Sequence, residues 1–234
     1  YQSFGGNVSY SKKTKDRSGE FTAKFQAFLD QVKMIKPTEL RGGSGGSGTE
    51  ARNTFAASLS YSQIVNQNFQ IMFLADVITQ QGYLSLPFHR VYFNDSTGPL
   101  DSNQESLPDT RLKIPLAIRA SYFLGDNVII RAYYRYYTDD WKLTSHTANI
   151  EIPVKLSPFF SLSPFYRYYT QSAIKYFKGY KEHDGTEEFY TSNYDVSQFN
   201  SNFLGMGLKF SPLKGVLGMK HFHTLEMRYG HYTR

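Results

Sequence analysis

In the stretch NVIIRAYYRYYTDDW, residues 127–141, apolar and polar side chains separate only when alternate residues are grouped. Ile129, Arg131, Tyr133, Arg135, Tyr137 and Asp139 fall on one side, and Val128, Ile130, Ala132, Tyr134 and Tyr136 on the other. Read at helical period, the stretch gives no clean face. Successive side chains of a strand point to opposite faces, so it predicts a strand with one charged face and one apolar face ending in tyrosines.

The alternation recurs along the chain. FTAKFQAFLD sets Phe21, Ala23, Phe25, Ala27 and Leu29 against Thr22, Lys24, Gln26 and Asp30. RLKIPLAIRASYFL sets Leu112, Ile114, Leu116, Ile118 and Tyr122 against Arg111, Lys113, Arg119 and Ser121. TANIEIPVKL, FSLSPFYRYYTQ and TLEMRYG divide in the same way. The pattern predicts about ten strands, each near the roughly 9–11 residues that a tilted membrane strand needs. Pro115, Pro153 and Pro164 fall inside predicted strands and imply bulges or interrupted pairing there.

Short connections (15–19, 65–68, 125–127, 157–159, 211–218) interleave with longer ones (37–51, 81–109, 139–145, 171–199). Short turns on one side and long loops on the other are the layout of an outer-membrane barrel. Tyrosines near strand ends suit its interfacial girdles. The expected fold is therefore all-β, one antiparallel up-and-down transmembrane β-barrel domain over 1–234, with 37–51, 81–109 and 171–199 as long extracellular loops. A soluble barrel or sandwich explains the alternation equally well, but explains the loop regularity and the placed tyrosines less well. The GGSGGSG run at 42–48 reads as a flexible connection. If the short turns are periplasmic, both chain ends lie outside. An even-stranded barrel would then need a neighbour before Tyr1 and another after Arg234, twelve or more strands in all.

Composition changes this picture little. No run reaches the roughly 18 apolar residues of a membrane helix, and the mean hydropathy is -0.47. A barrel escapes both tests, because only alternate residues face lipid. The absence of cysteine excludes disulfides and thiolate metal sites. The chain begins at Tyr1 without a Met or a signal peptide, so a targeting segment is expected to have been removed. The net charge of +6 is spread along strands rather than gathered in a patch, which argues against nucleic acid as a partner.

Five strings carry a resemblance: LPFHRVYF (86–93), YYRYYTDDWKLTSHTANIEIPVK (133–155), FFSLSPFYRYYTQSA (159–173), FYTSNYD (189–195) and MRYGHYTR (227–234). Together they resemble a family of uncharacterised outer-membrane proteins of Gram-negative bacteria, Bacteroidetes in particular. The resemblance covers nearly the whole chain and implies a β-barrel in the bacterial outer membrane, in contact with its lipid. By that resemblance, its gene is expected near those for a small lipoprotein, a thioredoxin-like protein and a flavin transferase, as is often so in the family. That implies a lipoprotein or other outer-membrane subunits as partners. The family supplies no catalytic residues to carry over, and this chain is expected to lack its amino-terminal portion and last strand.

The charges assigned to the lumen are the most informative set. They are Arg111, Lys113, Arg119, Arg131, Arg135, Asp139, Glu151, Lys155, Arg167, Glu226 and Arg228, with Lys24, Asp30, Asp76, Lys209 and Lys220 beside them. An arginine and lysine excess around a lumen favours anions. The same charges could instead form a packed plug of ion pairs with no conduction. Arg131, Arg135 and Arg167 are expected near Glu151 in one network. In the loop at 81–109, Phe88, His89, Arg90 and Tyr92 belong to a segment too apolar to stay solvated, and they are its expected recognition residues.

Other candidates are weaker. His221 and His223 share a strand face but lack a third ligand, so no metal is expected. Ser145 and His146 are adjacent and should point apart, which disfavours hydrolase chemistry. HDGTEE (183–188) lacks the spacing of a calcium loop and reads as solvated. No cofactor and no enzymatic activity are expected. The function is read as a pore for a small anionic solute, with a non-conducting structural subunit as the alternative and an outer-membrane hydrolase third.

Overall fold

Alternating sequence becomes alternating structure through the antiparallel ladder. The computed structural model describes residues 2–34, 48–94, 102–219 and 221–234. Its strands are β1 (Gln2–Lys13), β2 (Gly19–Lys33), β3 (Thr49–Asn66), β4 (Phe69–Gly82), β5 (Arg90–Tyr92), β6 (Ser102–Gln104) and β7 (Thr110–Leu124). They continue with β8 (Val128–Asp139), β9 (Thr144–Glu151), β10 (Val154–Ser157), β11 (Phe160–Gln171), β12 (Phe199–Phe210) and β13 (Leu225–Thr233). Strands β9 and β10 lie end to end between β8 and β11, while β5 and β6 form a separate hairpin. The wall is thus one all-β, up-and-down antiparallel meander of ten strand positions. Among the described residues, β1 pairs only with β2 and β13 only with β12. No described helix is long and apolar enough to cross a membrane.

One face of this wall is apolar and exposed. Phe25, Leu59, Phe73, Val77, Leu116, Tyr134, Ile150, Tyr166, Leu204 and Met227 all lie on it uncovered. The opposite face carries the charged residues and curls around a cavity. Water would penalise the first face heavily, whereas hydrocarbon would not.

All three strand prolines interrupt pairing. Pro153 falls in the gap between β9 and β10. Pro164 faces that gap, where the Ile152 amide donates to the Pro164 carbonyl at 2.9 Å. The β4–β7 ladder skips from Ala75–Leu116 to Ile78–Lys113, and Pro115 sits in the skipped segment. The physical cause is common: proline has no N–H to give the neighbouring strand.

The short turns at Thr14–Ser18, 67–68, 125–127 and 158–159 lie at one end of the wall. Side-chain hydrogen bonds from Ser18 and Thr14 hold the first of these and lower the Asp16 carboxyl to about 2. At the other end the connections 83–109 and 172–198 are long. The expected long connection at 139–145 is a tight turn over 140–143, because β8 and β9 pair through to Thr138–Thr144. The expected loop at 37–51 lies mostly outside the described residues, as do Lys220 and the Gly/Ser run up to 47; residues 49–51 are already β3.

A glycine pair lets aromatic rings approach the inner wall closely. A Cβ on Gly205 would sit 2.4 Å from the Phe165 ring and 2.3 Å from the Tyr229 carbonyl oxygen. One on Gly230 would meet the Phe203 ring at 2.4 Å. The Phe165 and Phe203 rings meet over this hollow at 5.1 Å, tilted by 51°.

Candidate functional site: an arginine-lined cavity beneath a loop cap

Ladder register stacks three rows of inward side chains. The first runs Ala117, Arg135, Thr147, Tyr169, Ser201. The second runs Met72, Arg119, Tyr133, Asn149, Arg167, Phe203. The third runs Gln70, Ser121, Arg131, Glu151, Phe165, Gly205. Central members of these rows line a cavity of about 670 Å³ whose charged residues are Arg119, Arg131, Arg135, Arg167 and Glu151.

Glu151 faces Arg131 across the ladder, yet its ion pair is with Arg228, at 2.7 Å. Arg228 reaches it across the glycine hollow, its guanidinium 4.5 Å from the Phe165 ring centre. The network expected of Arg131, Arg135 and Arg167 around Glu151 is therefore replaced by one pair with Arg228. Arg119 lies over Tyr133 and Arg167 over Phe203, which satisfies their planes but not their charge. Among the described residues, none of the four cavity arginines has a carboxylate partner. Two polar atoms here are buried without a hydrogen bond, Nε of Arg135 and Oγ1 of Thr147. These residues are direct cross-strand partners.

The remaining lumen candidates lie elsewhere on the same face. Arg111 donates through Nε to Asp139 at 2.9 Å and covers the Trp141 ring at 4.3 Å. Asp139 also accepts from the Tyr137 hydroxyl at 2.9 Å and the Leu143 amide at 3.0 Å. Buried at the mouth, Asp139 is a structural hub rather than an open lining residue. Lys113 sits opposite it. Lys155 pairs across from Ser161, and Glu226 from Lys209, toward the short-turn end.

Over the mouth, the two long loops form a cap. Inward side chains hold its backbone: Arg52 donates to the Tyr83 and Ser85 carbonyls, and Gln171 to those of Asp195 and Ser197. Trp141, Leu143 and Ile174 form the cluster where cap meets wall. Bridges Phe93–His183 and Ser106–Tyr190 join one loop to the other. In the recognition segment, Phe88 remains exposed, His89 and Arg90 are half-buried, and Tyr92 stacks on Tyr180 at 5.3 Å. Val91 between them is the buried anchor, 0% exposed.

HDGTEE is exposed at Asp184, Gly185, Thr186 and Glu188, as its composition suggests, but His183 anchors it. His183 is 1% exposed and touches acceptors at both ring nitrogens, Glu187 at 2.9 Å and the Thr191 carbonyl at 3.0 Å. Lys178 pairs with the other Glu187 oxygen. Burial alone would raise the Glu187 pKa, but hydrogen bonds from Lys178 and His183 outweigh it and lower it. The Thr191 hydroxyl donates to buried Glu105. Burial, with Glu105 nearby, pushes the Tyr83 hydroxyl up to about 12. Sequence reading missed His183, Glu105, Thr191 and Thr147. Only Thr147 had a signal, its place on the Asn149 side of the β9 alternation.

Ser145 lies on the inner face and His146 on the outer, where Nδ1 meets the Tyr134 hydroxyl at 2.7 Å. No seryl–histidine couple forms from this dipeptide. No group of three or more metal-ligating side chains occurs among the described residues.

Residues 2–234 match the family described as "Protein of unknown function (DUF3570)", and the chain belongs to that family. No curated protein matches it. Among solved structures, it is similar to the crystal structure of a Pseudomonas aeruginosa FadL homologue, at 9% identity and a TM-score of 0.45. That alignment covers 97% of this chain and 59% of the other, so the chain spans about three-fifths of that protein's length.

Proposed function

We propose that this member of the DUF3570 family is an outer-membrane β-barrel protein of a Gram-negative bacterium, of Bacteroidetes type, that passes small anionic solutes through its arginine-lined lumen. The apolar outer face supports the membrane setting, since exposed hydrophobic area on this scale needs hydrocarbon around it. The observation that carries the solute class is the charge imbalance of the cavity: four arginines without carboxylate partners among the described residues, and one glutamate already held by Arg228. A low-dielectric wall strengthens that positive potential and concentrates anions along it.

A second reading has its own support. The cap is anchored by inward residues from β3 to β11, the arrangement of a lid or of a permanent seal. A sealed wall would make the chain a structural subunit, with a lipoprotein or another outer-membrane protein as its partner. Liposome swelling separates the two. Entry of small organic anions faster than cations of equal size supports passage. Absence of swelling with every solute, including after the cap is loosened, supports the seal.

A further inference from the structure

We propose that the cavity is a saturable binding site for small organic oxyanions, molecules ending in a carboxylate or a phosphate, with Arg135 and Thr147 recognising the charged end. This rests on the anion-passing reading and adds a stoichiometric site to it. A field of arginines attracts any anion, chloride included. A site needs donors placed for particular acceptor atoms, and the paired rows supply them.

Arg135 and Thr147 face each other across the β8–β9 ladder on the inner face. Thr147 is 7% exposed, and its Oγ1, like Nε of Arg135, has no hydrogen-bond partner. Buried polar atoms are seldom left in that state without a reason. Neither atom is reachable by water where it stands, so water cannot satisfy them in place. A turn of the two side chains toward the cavity is rewarded only if an acceptor waits there. Guanidinium nitrogens donate and never accept, so the surrounding arginines cannot supply that acceptor, whereas an oxyanion entering the cavity can.

The fork of a guanidinium matches two oxygens of one carboxylate or phosphate, a match a halide lacks. Arg119, Arg131 and Arg167 in the adjoining rows reinforce the charge preference. The volume argues for an organic body behind the oxyanion. At about 670 Å³ the cavity falls among small-molecule sites and far exceeds a bare ion. Tyr133 and Met72 offer that body an aromatic and an apolar wall, and Asn149 an amide.

The test is calorimetric titration of the full chain in detergent with succinate, with inorganic phosphate and, as a neutral control, with glucose. Saturable one-to-one binding of succinate or phosphate, without glucose binding, is expected, and the tighter of the two assigns the headgroup. Thr147→Val, which keeps shape and removes the donor, should weaken binding about tenfold, as should Arg135→Lys, which keeps charge and removes the fork. Thr147→Val, which removes no charge, should retain the anion preference of the conductance, which separates this site from the wider field. Absence of saturable binding to the wild type, or wild-type affinity in Thr147→Val, would overturn the proposal. Loss of anion preference in the wild type would instead overturn the reading beneath it.

Discussion

Arg228 places its guanidinium 2.7 Å from Glu151 although the two residues are 77 positions apart and lie on β13 and β9. That contact removes the one carboxylate of the cavity from Arg131, its direct ladder neighbour. The pair is half-open to water, with Arg228 52% and Glu151 22% exposed, so its contribution to stability is small, about 0–1 kcal/mol. Its larger effect is on charge. Glu151→Gln should leave the thermal midpoint in detergent nearly unchanged and should strengthen anion preference in a bilayer. A large loss of stability would show that the pair is structural.

Asp139 should behave in the opposite way. Its side chain is fully buried and accepts from Arg111, Tyr137 and the Leu143 amide. Asp139→Ala strands a largely buried guanidinium and an amide. Breaking such a pair costs about 3–5 kcal/mol. Denaturant titration of refolded protein checks this, with Glu151→Gln as the internal reference. Equal effects of the two substitutions would count against the distinction.

The cap should loosen in acid. The Glu187 pKa is lowered in the folded protein, so its contribution is present above the ordinary value of 4.5 and is lost as pH falls through the lower folded value. Lys178 is raised, chiefly by its hydrogen bond to Glu187, so its contribution is present below 10.5 and fades only above that. Between these limits the latch holds. Limited proteolysis within 172–198 should be slow at neutral pH and accelerate as pH falls below the ordinary carboxylate value of 4.5. Glu187→Gln should accelerate it at neutral pH and abolish the acid step. A flat profile in the wild type would contradict the latch.

Leu59 and Ser58 are adjacent on β3 and point to opposite faces, Leu59 outward and exposed, Ser58 inward opposite Asp76. Arginine at a lipid-facing midplane position costs about 2–4 kcal/mol, against little in a lumen. Leu59→Arg should therefore impair refolding into bilayers, and Ser58→Arg should not. Equal tolerance would reverse the assignment of faces.

What the sequence disclosed and what it withheld divide along a physical line. Faces were legible, because a strand repeats every two residues and burial is imposed on every repeat; Arg131, Arg135 and Ile150 follow from parity alone. The proline gaps were legible too, since a missing N–H is a property of the residue itself. Partners were not. Glu151 takes Arg228 rather than Arg131 because two glycines and Phe165 clear a path that no local pattern marks. The cap was the least legible element. Thr191 and Glu105 meet across 86 residues, and His183 sits in a string whose composition signals exposure. Loops carry no periodicity, so their burial depends on contacts made at a distance.

If arginines without carboxylate partners among the described residues set what the lumen passes, the reversal potential in a salt gradient must carry their sign. The wild type and the cap-loosened Glu187→Gln variant would be reconstituted in a planar bilayer with tenfold more potassium chloride on one side. Openings are expected in both, longer in the variant, with a reversal potential of the sign for chloride over potassium. Replacing Arg119, Arg131, Arg135 and Arg167 together by Gln should bring that potential close to zero. A cation-selective potential in the wild type, or no conductance in either protein, would contradict the anion-passing reading.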